Sequence, residues 1–175
     1  MARNVEIKAR IDDLDALRSR LAALSVRGEE HLDQTDTFFR VARGRLKLRE
    51  FANGPAELIY YERPDVPGAK VSHYERLPSP EPAALKRMLA AALGVRGTVM
   101  KHRDVYLMGP TRIHVDVVYG LGTFLELEVV LGESDTADFG EAIAATLLQD
   151  LRIRPGNLLR GAYIDLLESI PDQPP

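Results

Sequence analysis

In the stretch GRLKLRE, Arg45, Lys47 and Arg49 alternate with Leu46 and Leu48. The same two-residue rhythm recurs along the chain. Glu6, Lys8 and Arg10 alternate with Val5, Ile7 and Ala9, and Arg112, His114 and Asp116 with Ile113, Val115 and Val117. Glu126 and Glu128 alternate with Leu125, Leu127 and Val129, while Lys101 and Arg103 share a parity in MKHRD. Successive side chains of an extended chain point to opposite faces, so each stretch predicts one apolar and one ionic face. Arg offers phosphate oxygens a planar fork of donors, and Lys offers a compact charge. Clustered carboxylates suit a hard divalent cation, Mg²⁺ or Mn²⁺.

Two arrangements produce such faces. One is a half-buried sheet whose ionic side meets water and carries cross-strand ion pairs. The other is a sheet curled into a barrel with its ionic faces inward. Helices with strong apolar stripes must cover the apolar side, and if they lie outside, the ionic faces line a lumen. That lumen gathers Lys8, Arg10, Arg45, Lys47, Arg49, Lys101, Arg103 and Arg112 against Glu6, Asp116, Glu126 and Glu128. It is an excess of cations in a chain whose formal net charge is −3. Like charges in a partly dehydrated space are costly without a counter-ion, so the pattern implies a bound anion. Cations for phosphate beside acids for metal describe a metal-bound polyphosphate site.

The elements that must position these groups follow from periodicity and turn residues. Strands are predicted at 3–10, 34–41, 44–51, 56–64, 70–77, 99–109, 111–118 and 123–131, separated by short Gly- and Pro-containing turns. Helices are predicted at 12–24, 80–94, 136–151 and 157–170. Asp12 or Asp13, Ser79 and Asn157 serve as expected caps, and Pro80 as a first-turn residue. Gly120 and Gly122 are expected in a tight hairpin. The order predicts an α+β fold with about eight mostly antiparallel strands, enough to close into a barrel. The 175 residues are enough for one domain with a sizeable core, or at a stretch two small ones; a single domain is expected, with residues 171–175 fraying.

Composition narrows the classes. Hydrophobic residues make up 45% and charged residues 28%, as in an ordinary globular protein. The absence of Cys excludes disulfides, zinc thiolates and Cys nucleophiles. The negative net charge makes a nucleic-acid backbone an unexpected partner. The start MARNVEIK lacks the apolar core of a signal peptide, and no apolar run approaches the ~18 residues of a membrane span. A cytoplasmic location is the default expectation.

Taken in order, NVEIKAR, GRLKLRE, KHRDVYL, RIHVDVVYGLGTFLELEVV and AYIDLL resemble the CYTH domain. That family comprises class IV adenylyl cyclases, thiamine triphosphatases and related triphosphate tunnel metalloenzymes. The resemblance extends over residues 3–167. It implies an eight-stranded antiparallel tunnel with helices outside, holding a triphosphate with Mg²⁺ or Mn²⁺. In the family's Glu-x-Glu-x-Lys motif, Glu6 matches the second Glu and Lys8 the Lys, while Asn4 stands where the first Glu belongs. The resemblance implies catalytic roles for Glu6, Lys8, Arg103 and Glu126. It implies phosphate contacts from Lys8, Arg10, Arg45, Lys47, Arg49, Lys101, Arg103 and Arg112. Metal ligation would fall to Glu6, Asp116, Glu126 and Glu128. A lumen Lys of the family aligns with Glu62, which puts Arg63 on the opposite face. Gly120-Leu121-Gly122-x-Phe124-x-Glu126 is most similar to the cyclases, which convert ATP to cyclic AMP and pyrophosphate. Hydrolysis of thiamine triphosphate or tripolyphosphate, and a non-catalytic organophosphate-binding module, stay open. The implied partners are a nucleoside triphosphate or other triphosphate, and a second copy of the chain as a homodimer.

Other residues are assigned structural roles. His114 is expected as a hydrogen-bonded lumen residue. His31, His73 and His102 share no spacing and receive no role. Tyr60, Tyr61 and Tyr74 are assigned to strand packing, and Tyr163 to a helix packed on the barrel.

Overall fold

The computed structural model describes residues 1–170, the Glu29 side chain excepted; the tail expected to fray lies outside them. Eight strands are formed: β1 (Ala2–Arg10), β2 (Arg27–Phe39), β3 (Arg45–Phe51), β4 (Ala56–Glu62), β5 (Lys70–Ser79), β6 (Val95–Met108), β7 (Thr111–Val118) and β8 (Gly122–Leu131). They close into an antiparallel barrel in the order β1-β5-β4-β3-β2-β6-β7-β8. β1 completes it by pairing with both β5 and β8. Gly120 (φ +78°) and Gly122 (φ +102°) take the left-handed backbone that the β7–β8 hairpin requires.

The helices α1 (Leu14–Ala23), α2 (Pro82–Leu93), α3 (Ala137–Asp150) and α4 (Tyr163–Glu168) follow the apolar faces. Leu17 and Leu21 of α1 and Leu147 of α3, with Leu151 just after it, pack on Ile113, Val115, Leu125 and Leu127 outside the barrel. Burial of each such Leu contributes about 1.5–3 kcal/mol. Leu85, Leu89 and Ala90 of α2 cover Phe39, Leu48 and Ala56. Where α3 crosses β1, Gly140 leaves no room for a side chain: an added Cβ would stand 2.6 Å from Val5 Cγ2. Apolar residues therefore hold the helices outside, and the opposite faces turn inward.

The fourth helix is different. Ala162, Tyr163 and Ile164 pack against the inward-facing Phe38, Val99, Val118 and Phe124. Ala162 and Tyr163 also line the interior, so α4 floors one end of the bore.

Several boundaries depart from the sequence expectation. β2 begins at Arg27 instead of 34, because RGEEHLDQ is polar at both parities and shows no alternation. β6 begins at Val95 instead of 99. Ser79 ends β5, and α2 begins at Pro82 with Glu81 as its cap residue. The last helix begins at Tyr163, since Pro155–Asn157 is a short 3-10 turn and residues 158–162 must cross the barrel end. There Leu159 N–H donates to Lys8 O at 2.8 Å. Asn157 caps no helix; its amide donates to Arg10 O at 2.9 Å.

Candidate functional site: a charged blind cavity

The bore encloses about 450 Å³, within the usual range for a ligand pocket. Register brings charges from separate strands together. Glu6 stands opposite Glu128, and Lys8 opposite Glu126, across the β1–β8 pair. Arg112 and His114 stand opposite Glu128 and Glu126 across β7–β8. Arg49 stands opposite Asp36 across β2–β3.

The resulting contacts form two linked groups. Lys8 Nζ lies 2.7 Å from Glu126 and 4.1 Å above the Tyr163 ring. Arg103 donates to both oxygens of Asp116 at 2.6 Å and to Glu126 at 2.5 Å. Tyr163 donates its hydroxyl hydrogen to Asp116 at 2.8 Å. In the second group, Asp36 accepts from Lys47 at 2.8 Å and from Arg49 at 2.7 and 2.8 Å, with Lys101 3.6 Å away. Near the mouth Arg112 donates to Glu128 at 3.0 Å.

Six of the eight sequence-derived cations line the cavity: Lys8, Lys47, Arg49, Lys101, Arg103 and Arg112. Arg10 and Arg45 do not. Strand alternation continues past the floor, and α4 cuts these two off. Arg10 is exposed, donates to Leu121 O at 2.8 Å and lies over the Phe124 ring. Arg45 is held by Asp65 and by Asp165, both at 2.7 Å. Glu6, Glu126 and Glu128 line the cavity. Asp116 lies beneath its surface, fully buried, with its oxygens taken by Arg103 and Tyr163. That geometry makes Asp116 a support for Arg103, not an exposed ligand.

Glu62 is corrected too. Glu57, Ile59, Tyr61 and Arg63 share the inner parity, so Arg63 lines the cavity while Glu62 faces out and accepts from Tyr60. Arg63 stands 3.3 Å from Glu6 and supplies the cation that alignment had placed at 62. Tyr61 and Tyr74 line the cavity as well. Asp36, Glu30, Glu57, Arg63 and Arg76 escaped the sequence reading. Among the described residues, eight cationic side chains and six carboxylates line the space, so the positive excess is smaller than sequence parity alone indicates. Continuing the alternation through Ile59 and Tyr61 would have found Arg63.

Burial sets the electrostatics. It pulls Lys101 down to about 7, aided by Arg103, and Lys47 to about 8, aided by Arg49. Burial opposes ionisation of Asp36, yet Arg49, Lys47 and Lys101 together hold its carboxyl well below the ordinary range. Glu6 is pushed up by burial and by the neighbouring Glu126 carboxylate. Glu126, despite its burial, is held well below its usual value by Lys8 and Arg103. His114 is pushed down by burial and Arg103.

A divalent cation fits one wall. Ligand atoms of His114, Glu126 and Glu128 lie within 4.8 Å of one another. His114 Nδ1 and Asn4 Oδ1 are buried without a close hydrogen-bond partner, the His114 nitrogen standing 3.8 Å from Glu126 and 3.9 Å from Glu128. Glu6 faces the same wall from β1. Three carboxylates and these unpaired atoms form a mixed oxygen-and-nitrogen donor set of the kind that holds a divalent cation, although each carboxylate also meets a cationic side chain: Glu6 meets Arg63, Glu126 meets Lys8 and Arg103, and Glu128 meets Arg112.

Comparisons agree with this architecture. A Methanocaldococcus jannaschii protein named "Putative adenylate cyclase MJ0240" is 25% identical over 171 residues, covering 93% of this chain and 97% of that protein. The structure of PH1012 from Pyrococcus horikoshii OT3 superposes with a TM-score of 0.81 at 19% identity, over 93% of this chain and 98% of that one. A Hippeastrum protein named "Putative adenylyl cyclase HpAC1", described as having a dominant triphosphatase activity, superposes with a TM-score of 0.62 at 20% identity, over 95% of both chains. At these identities the two structures show the fold alone. The profile of the CYTH domain matches residues 2–163, and the chain belongs to that family.

Proposed function

We propose that the protein is a divalent-metal-dependent enzyme acting on a nucleoside triphosphate, cyclising ATP to cyclic AMP and pyrophosphate. One observation carries this reading: Lys and Arg side chains from five strands converge on one enclosed space, opposite a wall of carboxylates. Phe51, Tyr74 and Leu32 supply apolar surface near the mouth, which suits a base outside a phosphate-binding interior.

Glu6, Glu126 and Glu128, with Asn4 and His114 beside them, would hold the metal. A divalent ion held by these residues would supply a positive centre that lowers the pKa of an attacking hydroxyl and offsets phosphate charge. The chain's own residues do the rest. Arg49, Arg63, Arg103 and Arg112 hold phosphate oxygens in a fixed orientation through their planar forks of donors. Lys8, fixed between Glu126 and Tyr163, adds charge beside the carboxylate wall. Lys101, brought to about 7, is suited to give a proton to the departing pyrophosphate. The floor made by α4 excludes bulk water from the reacting end.

The second reading is hydrolysis of a triphosphate, favoured by the dominant triphosphatase activity described for the Hippeastrum protein. A product assay with ATP, GTP, thiamine triphosphate and tripolyphosphate, each with Mg²⁺ and Mn²⁺, separates the two. Cyclic AMP supports cyclisation, and inorganic phosphate without a cyclic product selects hydrolysis. Tight polyphosphate binding with no turnover under either metal makes the protein a binding module. Glu126→Gln is expected to lower turnover by at least about a hundredfold, the scale of losing an electrostatic group at a reacting centre. Unchanged activity per folded molecule would remove Glu126 from the mechanism.

A further inference from the structure

A second set of ligand-type side chains lies on the outside of the barrel, where β2 and β6 pair. Arg103 and Val105 line the cavity, whereas Asp104, of opposite parity, does not. His31 stands directly opposite Asp104 across the strand pair. His31 Nδ1 lies 2.7 Å, and His102 Nε2 3.1 Å, from the same Asp104 oxygen, Oδ1. The other oxygen, Oδ2, accepts from Arg18 of α1 at 3.0 Å. Asp33 Oδ1 lies 2.9 Å from His102 Nδ1. Ligand atoms of His31, His102 and Asp104 all fall within 4.8 Å of one another.

Three features distinguish this group from an ordinary hydrogen-bonded cluster. The first is charge. Asp33 and Asp104 outnumber Arg18, so with neutral rings the cluster carries one uncompensated negative charge. The second is directionality. With Nδ1–H of His102 donating to Asp33, its Nε2 faces a carboxylate oxygen: a second proton, which Asp33 and Asp104 favour by raising the ring's pKa, satisfies that contact, whereas the neutral ring sets acceptor toward acceptor. A cation between them removes that conflict. The Asp33–His102 pair then matches the arrangement in which a carboxylate orients a ligating imidazole from behind. The third is access. The Asp104 side chain is only 3% exposed, whereas those of His31 and His102 are 60% and 41% exposed, leaving an open side for an ion and its water. Two ligands each about 2.0–2.2 Å from one tetrahedral ion stand roughly 3.4 Å apart, so the 2.7 and 3.1 Å contacts to Asp104 Oδ1 need open only by a few tenths of an ångström to admit one.

We propose that His31, His102 and Asp104 form an external site for a first-row transition ion of the Zn²⁺ type, separate from the cavity. Two imidazoles and one carboxylate select a borderline ion over Mg²⁺, which prefers oxygen ligands; the cavity wall, with three carboxylates beside a single imidazole, is closer to such a set. The ion ties β2 to β6 on the face opposite Arg103.

The test is Zn²⁺ binding to the whole chain in excess Mg²⁺, which occupies the cavity carboxylates. The wild type is expected to bind one Zn²⁺ under these conditions and to melt at a higher temperature with it. His31→Ala and His102→Ala, both at exposed positions, are each expected to weaken that binding by at least about tenfold and to abolish the thermal shift. Glu128→Gln, in the cavity, is expected to leave it unchanged. No Zn²⁺ retained by the wild type in excess Mg²⁺ overturns the proposal. So does binding that survives both histidine variants, which would assign the ion to the cavity wall around His114.

Discussion

Asp36 shows what a single residue adds to a strand pattern. Its neighbours Gln34, Thr35 and Thr37 are polar on both parities, so nothing in the sequence marks it as facing inward. Only closure of β2 against β3 sets it opposite Arg49 and within reach of Lys47 and Lys101. It acts as a resident counter-ion. Asp36→Asn leaves three buried cations with less compensation, which is expected to destabilise the ligand-free protein by about 3 kcal/mol. In urea denaturation, added tripolyphosphate should recover more stability in this variant than in the wild type, and an equal gain in both would contradict the counter-ion role. Lys101 and Lys47 carry a second expectation. In the free protein they lose their protons at about 7 and about 8. A bound polyanion favours their charged forms, so the complex holds more protons than the free chain across that window. Binding therefore takes up protons, and affinity falls as pH rises. Calorimetric titration of tripolyphosphate at about pH 8, in two buffers of different ionisation heat, reads this uptake directly; net proton release would refute it.

At the scale of elements, the strands with clean alternation were legible: β1, β3, β7 and β8 contribute Glu6, Lys8, Lys47, Arg49, Arg112, Glu126 and Glu128 to the cavity as their spacing predicts. β4 was not, because Ile59 and Tyr61 turn inward and reverse the rule that apolar side chains face the helices. Arg10 and Arg45 obeyed the alternation but ran beyond the enclosed length, a limit that periodicity does not encode. Helix placement left its own trace in Gly140. Its missing side chain lets α3 lie against β1, the strand that carries Glu6 and Lys8. Gly140→Ala puts a methyl group 2.6 Å from Val5 Cγ2 and 3.0 Å from Leu131 Cδ2. The gain in helix propensity is outweighed by overpacking, and a net loss of about 1–3 kcal/mol is expected in urea denaturation. A variant more stable than the wild type would show that α3 can move outward freely.

For the whole molecule, the closing strand is the first one made. β1 pairs with β5 in the middle of the chain and β8 near its end, so the barrel cannot close until distant segments meet. Refolding by stopped-flow is therefore expected on roughly the millisecond-to-second scale of non-local β topologies, not in microseconds. The finished barrel has a further property that follows from Ala162 and Tyr163 at its base. Among the described residues α4 packs across that end, and the rim near Arg76 and Glu57 is the approach opposite it. Traffic through a dead-end street is last in, first out. On the proposed reading, a product fragment lodged among Lys8, Lys47 and Lys101 would leave after its shallower sibling, an order of departure set by the architecture.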